Sequence, residues 1–158
     1  MPMRTTITVL YAVLSFSVLA QDSGPLRLAP HGIHVVPINR GAEMFYQCSR
    51  PAPMPDEPLW TPSSEDIAQL ESDLKTFLAS RKAAGQTVPP PTAVYHRQYV
   101  GFTRKGTRLI YGNFFPKDAV DLLRDGPLRV CDGGPFFWGI VYSPANRELS
   151  ELEFNGPD

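Results

Sequence analysis

Between residues 61 and 85 the apolar side chains Ile67, Leu70, Leu74, Phe77 and Leu78 recur three and four positions apart. That spacing lines one face of an α-helix. The ends of the segment agree with it. Thr61 is the expected N-cap, with Pro62 in the first helical position, where a missing N–H costs nothing. Glu65 and Asp66 suit the positive end of the helix dipole, and Arg81 and Lys82 the negative end. Gly85 then supplies the stop. After the Pro89-Pro90-Pro91 break the period shortens to two. Residues 94–104 and 107–115, rich in Tyr, Val, Ile and Phe, predict two strands joined at Lys105-Gly106. A two-residue turn sets Val100 opposite Tyr111, Phe102 opposite Leu109 and Gln98 opposite Asn113. Tyr95, Arg97, Tyr99, Gly101, Ile110, Gly112 and Phe114 then share the other face.

Weaker patterns flank this centre. Residues 117–124 predict a short helical turn packed through Val120, Leu122 and Leu123. Residues 136–142 and 148–154 predict two more strands, the last with Leu152 and Phe154 on one face and Glu151 and Glu153 on the other. Ahead of the helix, residues 33–36 and 44–48 are strand-like pieces in a stretch dense in proline. Residues 50–58 read as an irregular linker, because proline removes backbone donors and favours extended neighbours. The expected fold is α+β: one long helix packed across an antiparallel sheet of four to five strands, over residues 59–158. Its arrangement is cystatin-like by analogy of shape alone, behind an extended Pro-rich N-terminal arm at 21–58.

Composition adds a compartment. Arg4, the apolar run from Ile7 to Leu19 and small Ala20 have the three parts of a secretory signal peptide, over residues 1–20 with cleavage before Gln21. The run falls short of the ~20 residues needed to cross a bilayer. The expected product is an exported, soluble protein, periplasmic or secreted, with no stable membrane insertion after cleavage. A formal net charge of −1 over 158 residues excludes a strongly basic nucleic-acid binder. The 17 Pro and 12 Gly exceed average usage, and they fall in the linkers and turns around the predicted elements. The two cysteines, Cys48 and Cys131, allow one intramolecular disulfide, which an oxidising compartment would maintain. No C-x-x-C spacing marks them as a redox pair.

Four pieces resemble a family. Tyr95-His96-Arg97-Gln98-Tyr99, Ile110-Tyr111-Gly112-Asn113, Asp132-Gly133-Gly134 and the closing Phe154-Asn155-Gly156 are similar to small exported bacterial proteins of uncharacterised function. The resemblance covers roughly Trp60 to the C-terminus. It implies an exported bacterial protein and brings no catalytic residue with it.

Reaction chemistry finds little footing. His31 and His34, three apart on an extended segment, point to opposite faces, so no metal site is expected. No G-x-S-x-G occurs, and the carboxylate pairs Glu65/Asp66, Glu71/Asp73 and Glu151/Glu153 read as solvated faces. Asp132-Gly133-Gly134-Pro135 lacks the following helix or lysine of a phosphate cradle and reads as a turn; no cofactor is expected. What remains is a binding surface: Arg97, Tyr99, Arg108, Asn113, Asp132 and Trp138. Arg97, Tyr99 and Arg108 share a face, and Phe136, Trp138 and Tyr142 share a parity. A sheet covered by a helix on one side only would expose aromatic residues on the other, a patch that needs a partner. The expected function is therefore non-enzymatic binding of another envelope or secreted macromolecule, in an inhibitor or immunity-type role. The alternative is a small envelope hydrolase or ligand-binding domain with a pocket between helix and sheet, using Arg97, Gln98, Asn113 or Asp132.

Overall fold

The structure is a computed structural model that describes residues 27–122 and 126–157. The expected leader and Leu123 lie outside the described residues. Strand β1 (Arg27–Val35) leads into a short helix α1 (Ile38–Gly41) and a 3-10 turn (Ala42–Phe45). Strand β2 (Glu57–Trp60), helix α2 (Ser64–Ala83), and strands β3 (Val94–Arg104) and β4 (Thr107–Pro116) follow. Two further 3-10 turns (Lys117–Leu122 and Gly134–Phe136) precede β5 (Trp138–Ser143) and β6 (Glu148–Phe154). The architecture is mixed α/β, with six strands rather than four to five. The order is β1-β3-β4-β5-β6, and β2 pairs with β3. Nor is the sheet purely antiparallel, because β1 runs parallel to β3 with α2 between them in the chain. A parallel pair needs a long crossover and leaves no hairpin signal in the sequence.

Helix α2 starts two residues later than expected. Its cap is Ser63, whose Oγ accepts the Asp66 N–H at 3.1 Å while Asp66 Oδ2 accepts the Ser63 N–H at 3.0 Å. This reciprocal box satisfies two donors at once. Thr61 would have had Ser64 as the third helical residue, which has no carboxylate to return the bond. At the far end Gly85, with φ +69°, donates to Lys82 O and Gln86 N–H donates to Arg81 O, closing the helix in a Schellman turn. The buried stripe Ile67, Leu70, Leu74 and Leu78 packs on Tyr95, Tyr99, Ile110, Phe114, Trp138 and Ile140.

The β3–β4 hairpin has the pairing that its turn dictates: Val100 faces Tyr111, Phe102 faces Leu109 and Gln98 faces Asn113. Lys105 and Gly106 both have positive φ, as a two-residue hairpin turn requires. In β6 the register shifts opposite Ile140, where Glu151 takes φ +50°. This bulge resets the side-chain phase, so Leu149, Leu152 and Phe154 all reach the α2 side. Simple alternation would have separated Leu149 from the other two.

The second sheet face is covered, which overturns the exposed aromatic face. Val100, Phe102, Leu109, Tyr111 and Val141 are buried beneath Val36 and Met44, with Phe45, Ala52 and Leu59 half-buried beside them. The segment read as a strand at 44–48 instead begins in the 3-10 turn that carries Met44 into this layer, where the residue is fully buried. Gly41 permits the close approach, since a Cβ there would lie 2.7 Å from Leu59 and 2.8 Å from Val100. Residues 51–56 are irregular, but the Pro-rich run ends in β2, on the sheet edge where proline is tolerated. A third cluster joins Phe115, Ala119 and Leu128. Ala119, not Leu122, is the buried residue of the 3-10 turn at 117–122; Leu122 is exposed. Phe136 likewise sits in a 3-10 turn, and β5 begins at Trp138. Cys48 and Cys131 form the disulfide, with Cα atoms 5.0 Å apart. Among the described residues, no helix is long and apolar enough to cross a membrane.

Candidate functional site

The six residues expected to form a binding surface occupy several distinct environments. Arg97 and Tyr99 share the α2 face of β3 and meet Glu71 of the helix there. Arg97 grips that carboxylate with Nε–Oε1 at 2.6 Å and Nη2–Oε2 at 3.1 Å, and donates from Nη1 to Ala29 O at 2.7 Å. Tyr99 donates its hydroxyl to Glu71 Oε1 at 2.7 Å. Arg97 and Glu71 side chains are only 5% and 13% exposed, so the carboxylate is matched by two donors out of water. Burial first, and the Glu71 charge second, push the Tyr99 phenol far above its ordinary range. It stays a proton donor. An ion pair desolvated in this way fixes geometry more surely than it adds stability.

Trp138 is fully buried under α2 and stacks on Phe114 with ring centroids 3.7 Å apart. Arg108 lies at the sheet rim, its guanidinium 3.8 Å from the Trp60 ring centroid. Asp132 is exposed in the loop before β5. Asn113 faces the other way and joins a buried polar network. Its Nδ2 donates to Gln98 Oε1 at 3.1 Å and Leu128 O at 2.9 Å, and its Oδ1 accepts from Arg50. Arg50 also donates to Asn155 Oδ1, while Asn155 Nδ2 donates to Val130 O at 2.7 Å and Asp132 O at 2.8 Å. These groups fasten the loop at 126–134 and the C-terminal residues to the sheet.

Glu71, read from the sequence as part of a solvated carboxylate pair with Asp73, is instead drawn into the helix–sheet junction by Arg97, and Arg50 and Asn155 complete the second network. Glu71 borders the apolar stripe next to Leu70, a flank position that faces a strand once the helix docks. Arg50, inside a proline run, gave no local signal. Elsewhere Asp73 is held below its ordinary carboxylate range, chiefly by hydrogen bonding from Arg147. It accepts the Tyr142 hydroxyl at 2.9 Å, and burial followed by that bond pushes Tyr142 up to about 12. Each of these polar sets is engaged in holding elements together, and the helix–sheet junction between them is filled by Leu70 and Leu74, both fully buried.

One surface feature open to recognition among the described residues is the edge at β1. Val36 N–H donates to Tyr99 O at 2.8 Å. In a parallel ladder alternate residues point their backbone groups to the same side, so those of Ile33 and Val35 face away from β3. Ile33, Val35 and neighbouring Ile38 are 38%, 39% and 49% exposed. From Leu28 to Asn39 the chain holds no Asp, Glu, Lys or Arg. Sheet edges are ordinarily guarded by charge, proline or bulges. Pro30 and the register shift between Leu28 and Ile33 guard the first half of β1, and the second half has neither. No family model, curated protein or solved structure matches the chain.

Proposed function

We propose that this is an exported, non-enzymatic protein that binds another protein by accepting an extended segment of it along β1. The observation that carries the reading is the unguarded run Ile33–His34–Val35. There, Ile33 and Val35 carry both the outward backbone donors and acceptors and the exposed β-branched side chains, and no charge intervenes. An added strand gains backbone hydrogen bonds at Ile33 and Val35 and apolar contact with Ile33, Val35 and Ile38, the two ingredients of strand addition. The Cys48–Cys131 bridge supports export, since such bonds persist in oxidising compartments. Arg97, Glu71, Tyr99, Asp73 and Tyr142, side chains of the types that catalysis uses, are occupied in fixing helix to sheet.

Photo-crosslinking in the producing cell tests this. A photoreactive residue at Ile33 or Val35 should give a discrete adduct with one protein, and the same residue at exposed Ala79 of α2 should not. Adducts from Ala79 equal to those from the edge, or none from the edge, overturn the reading.

A further inference from the structure

A second surface lies on the sheet face away from α2, between the β3–β4 and β5–β6 turns, and it is independent of the β1 edge. It is a groove of about 550 Å³. One wall carries Arg104, Lys105 and Thr107, and the other Asn146 and Glu148. Its floor is Leu109 and Ser143. The register explains the convergence. Ile110 pairs with Tyr142, so the next rung sets Leu109 beside Ser143, and Ser143 pairs in turn with Glu148. Three strands thus place an apolar residue, a hydroxyl and a carboxylate in one row.

Ser143 is 8% exposed and its Oγ has no protein partner. Gln98, Asn113, Arg50 and Asn155, buried on the same face, all have partners. A buried hydroxyl left unmatched calls for an explanation, and its place on the floor of a polar groove offers one. The rim is shaped with care as well. Lys105 and Glu151 are two of the described non-glycine residues with positive φ, and Glu151 uses its bulge position to pair with Arg104. That pair holds Arg104 beside the groove.

The lining selects among ligand classes. Cationic side chains occupy one wall and the Glu148 carboxylate the other, with hydroxyls between them. A purely anionic ligand would meet Glu148. None of the lining residues is aromatic, so the stacking surface that sugar rings and bases commonly use is not there. The volume is within the range of small-molecule sites. We propose that this groove binds a short peptide with free termini, its carboxylate toward Lys105 and Arg104 and its ammonium toward Glu148, with Ser143 Oγ hydrogen-bonding the peptide backbone.

Titration of the isotope-labelled full chain with triglycine, followed by amide NMR shifts, tests the assignment. Saturable shifts should centre on Thr107, Ser143 and Glu148. N-acetyl-triglycine and triglycinamide, each lacking one terminal charge, should bind about tenfold more weakly than triglycine. Ser143→Ala should weaken triglycine binding about fivefold without lowering the thermal midpoint, because the hydroxyl it removes has no protein partner. Glu148→Gln should weaken triglycine and triglycinamide but leave the acetylated form unchanged, a pattern that general unfolding would not give. Absence of saturable shifts at the groove up to about 10 mM overturns the proposal. So does equal binding of inorganic phosphate, or unchanged affinity in Ser143→Ala. None of these variants touches Ile33 or Val35, so failure here leaves the strand-addition reading standing, and the reverse also holds.

Discussion

The imidazole of His96 stacks against His34 with centroids 6.0 Å apart and against Phe115 at 5.9 Å, and its Nδ1 has no protein partner. Gly32 makes this possible by lying close over the ring, where a Cβ would come within 3.0 Å of it. Burial, followed by the charges of His34, Arg97 and Lys117, holds its pKa below the ordinary 6.5. The unfolded chain therefore takes up this proton at higher pH than the folded one. The associated stability is complete above the ordinary histidine range and is lost as pH falls through 6.5 toward the lowered folded value. The urea midpoint should accordingly drop between about pH 7.5 and about pH 5.5, and His96→Gln should flatten that drop. Denaturation curves of both proteins at the two pH values check it, and parallel slopes would remove His96 from the account. Arg97 and Arg50 differ from His96 in kind. Both are buried, one against the Glu71 carboxylate and the other, among the described residues, against amide and phenol oxygens. Such cations are held by hydrogen-bond geometry, which explains why both sit where several chain segments meet.

Helix α2 is the element whose local signals and tertiary role coincide most fully, and its cap can be tested in isolation. Ser63→Ala should cost about 1 kcal/mol, the usual loss for an N-cap hydroxyl, while Thr61→Ala should cost far less. Chemical denaturation of the two variants distinguishes Ser63 from the neighbouring hydroxyl. The comparison also shows what a sequence discloses. The stripe from Ile67 to Leu78 and the Lys105-Gly106 hairpin were legible because period and turn chemistry act over a few residues, and the register followed from them. The sequence favours Thr61 because Pro62 suits the first helical position; the reciprocal bond from Asp66 places the cap at Ser63. Strand β1 and the cover from Val36 to Leu59 were not legible as such. Parallel pairing and face-to-face burial depend on residues forty or more positions away in the chain. The same holds for the sites. Arg97 and Tyr99 could be placed on one face from alternation, but Glu71 enters only when the helix docks. The groove around Ser143 requires three strands in register, and the β6 bulge that brings Glu151 to Arg104 is a change of phase which alternation alone cannot foresee.

At the scale of the molecule, two layers enclose the sheet, and they are secured differently. The α2 layer rests on a continuous apolar stripe. The opposite layer is short helical turns and irregular chain, with fewer apolar anchors, and it is fastened at one corner. There Cys48 is bonded to Cys131, Ser49 accepts the Gly156 N–H at 2.7 Å, and Arg50 binds Asn155 and Asn113. The bridge links positions 83 apart. In the chain-entropy account a loop of that length contributes about 4–5 kcal/mol, a large part of the 5–15 kcal/mol typical of a whole domain. Reduction, or Cys48→Ala with Cys131→Ala, should therefore lower unfolding free energy by several kcal/mol in urea titrations. The loss should also be uneven. Hydrogen exchange should rise first in residues 42–50, 126–134 and 155–157, which meet at the corner, and last in β3 and β4, which carry partners on both sides. Loosening of this layer would bare Phe102, Tyr111 and Val141, the apolar face that Met44 now covers. Uniform exchange across the sheet on reduction would show instead that both layers unfold as one unit, with the bridge stabilising the unit and not the corner.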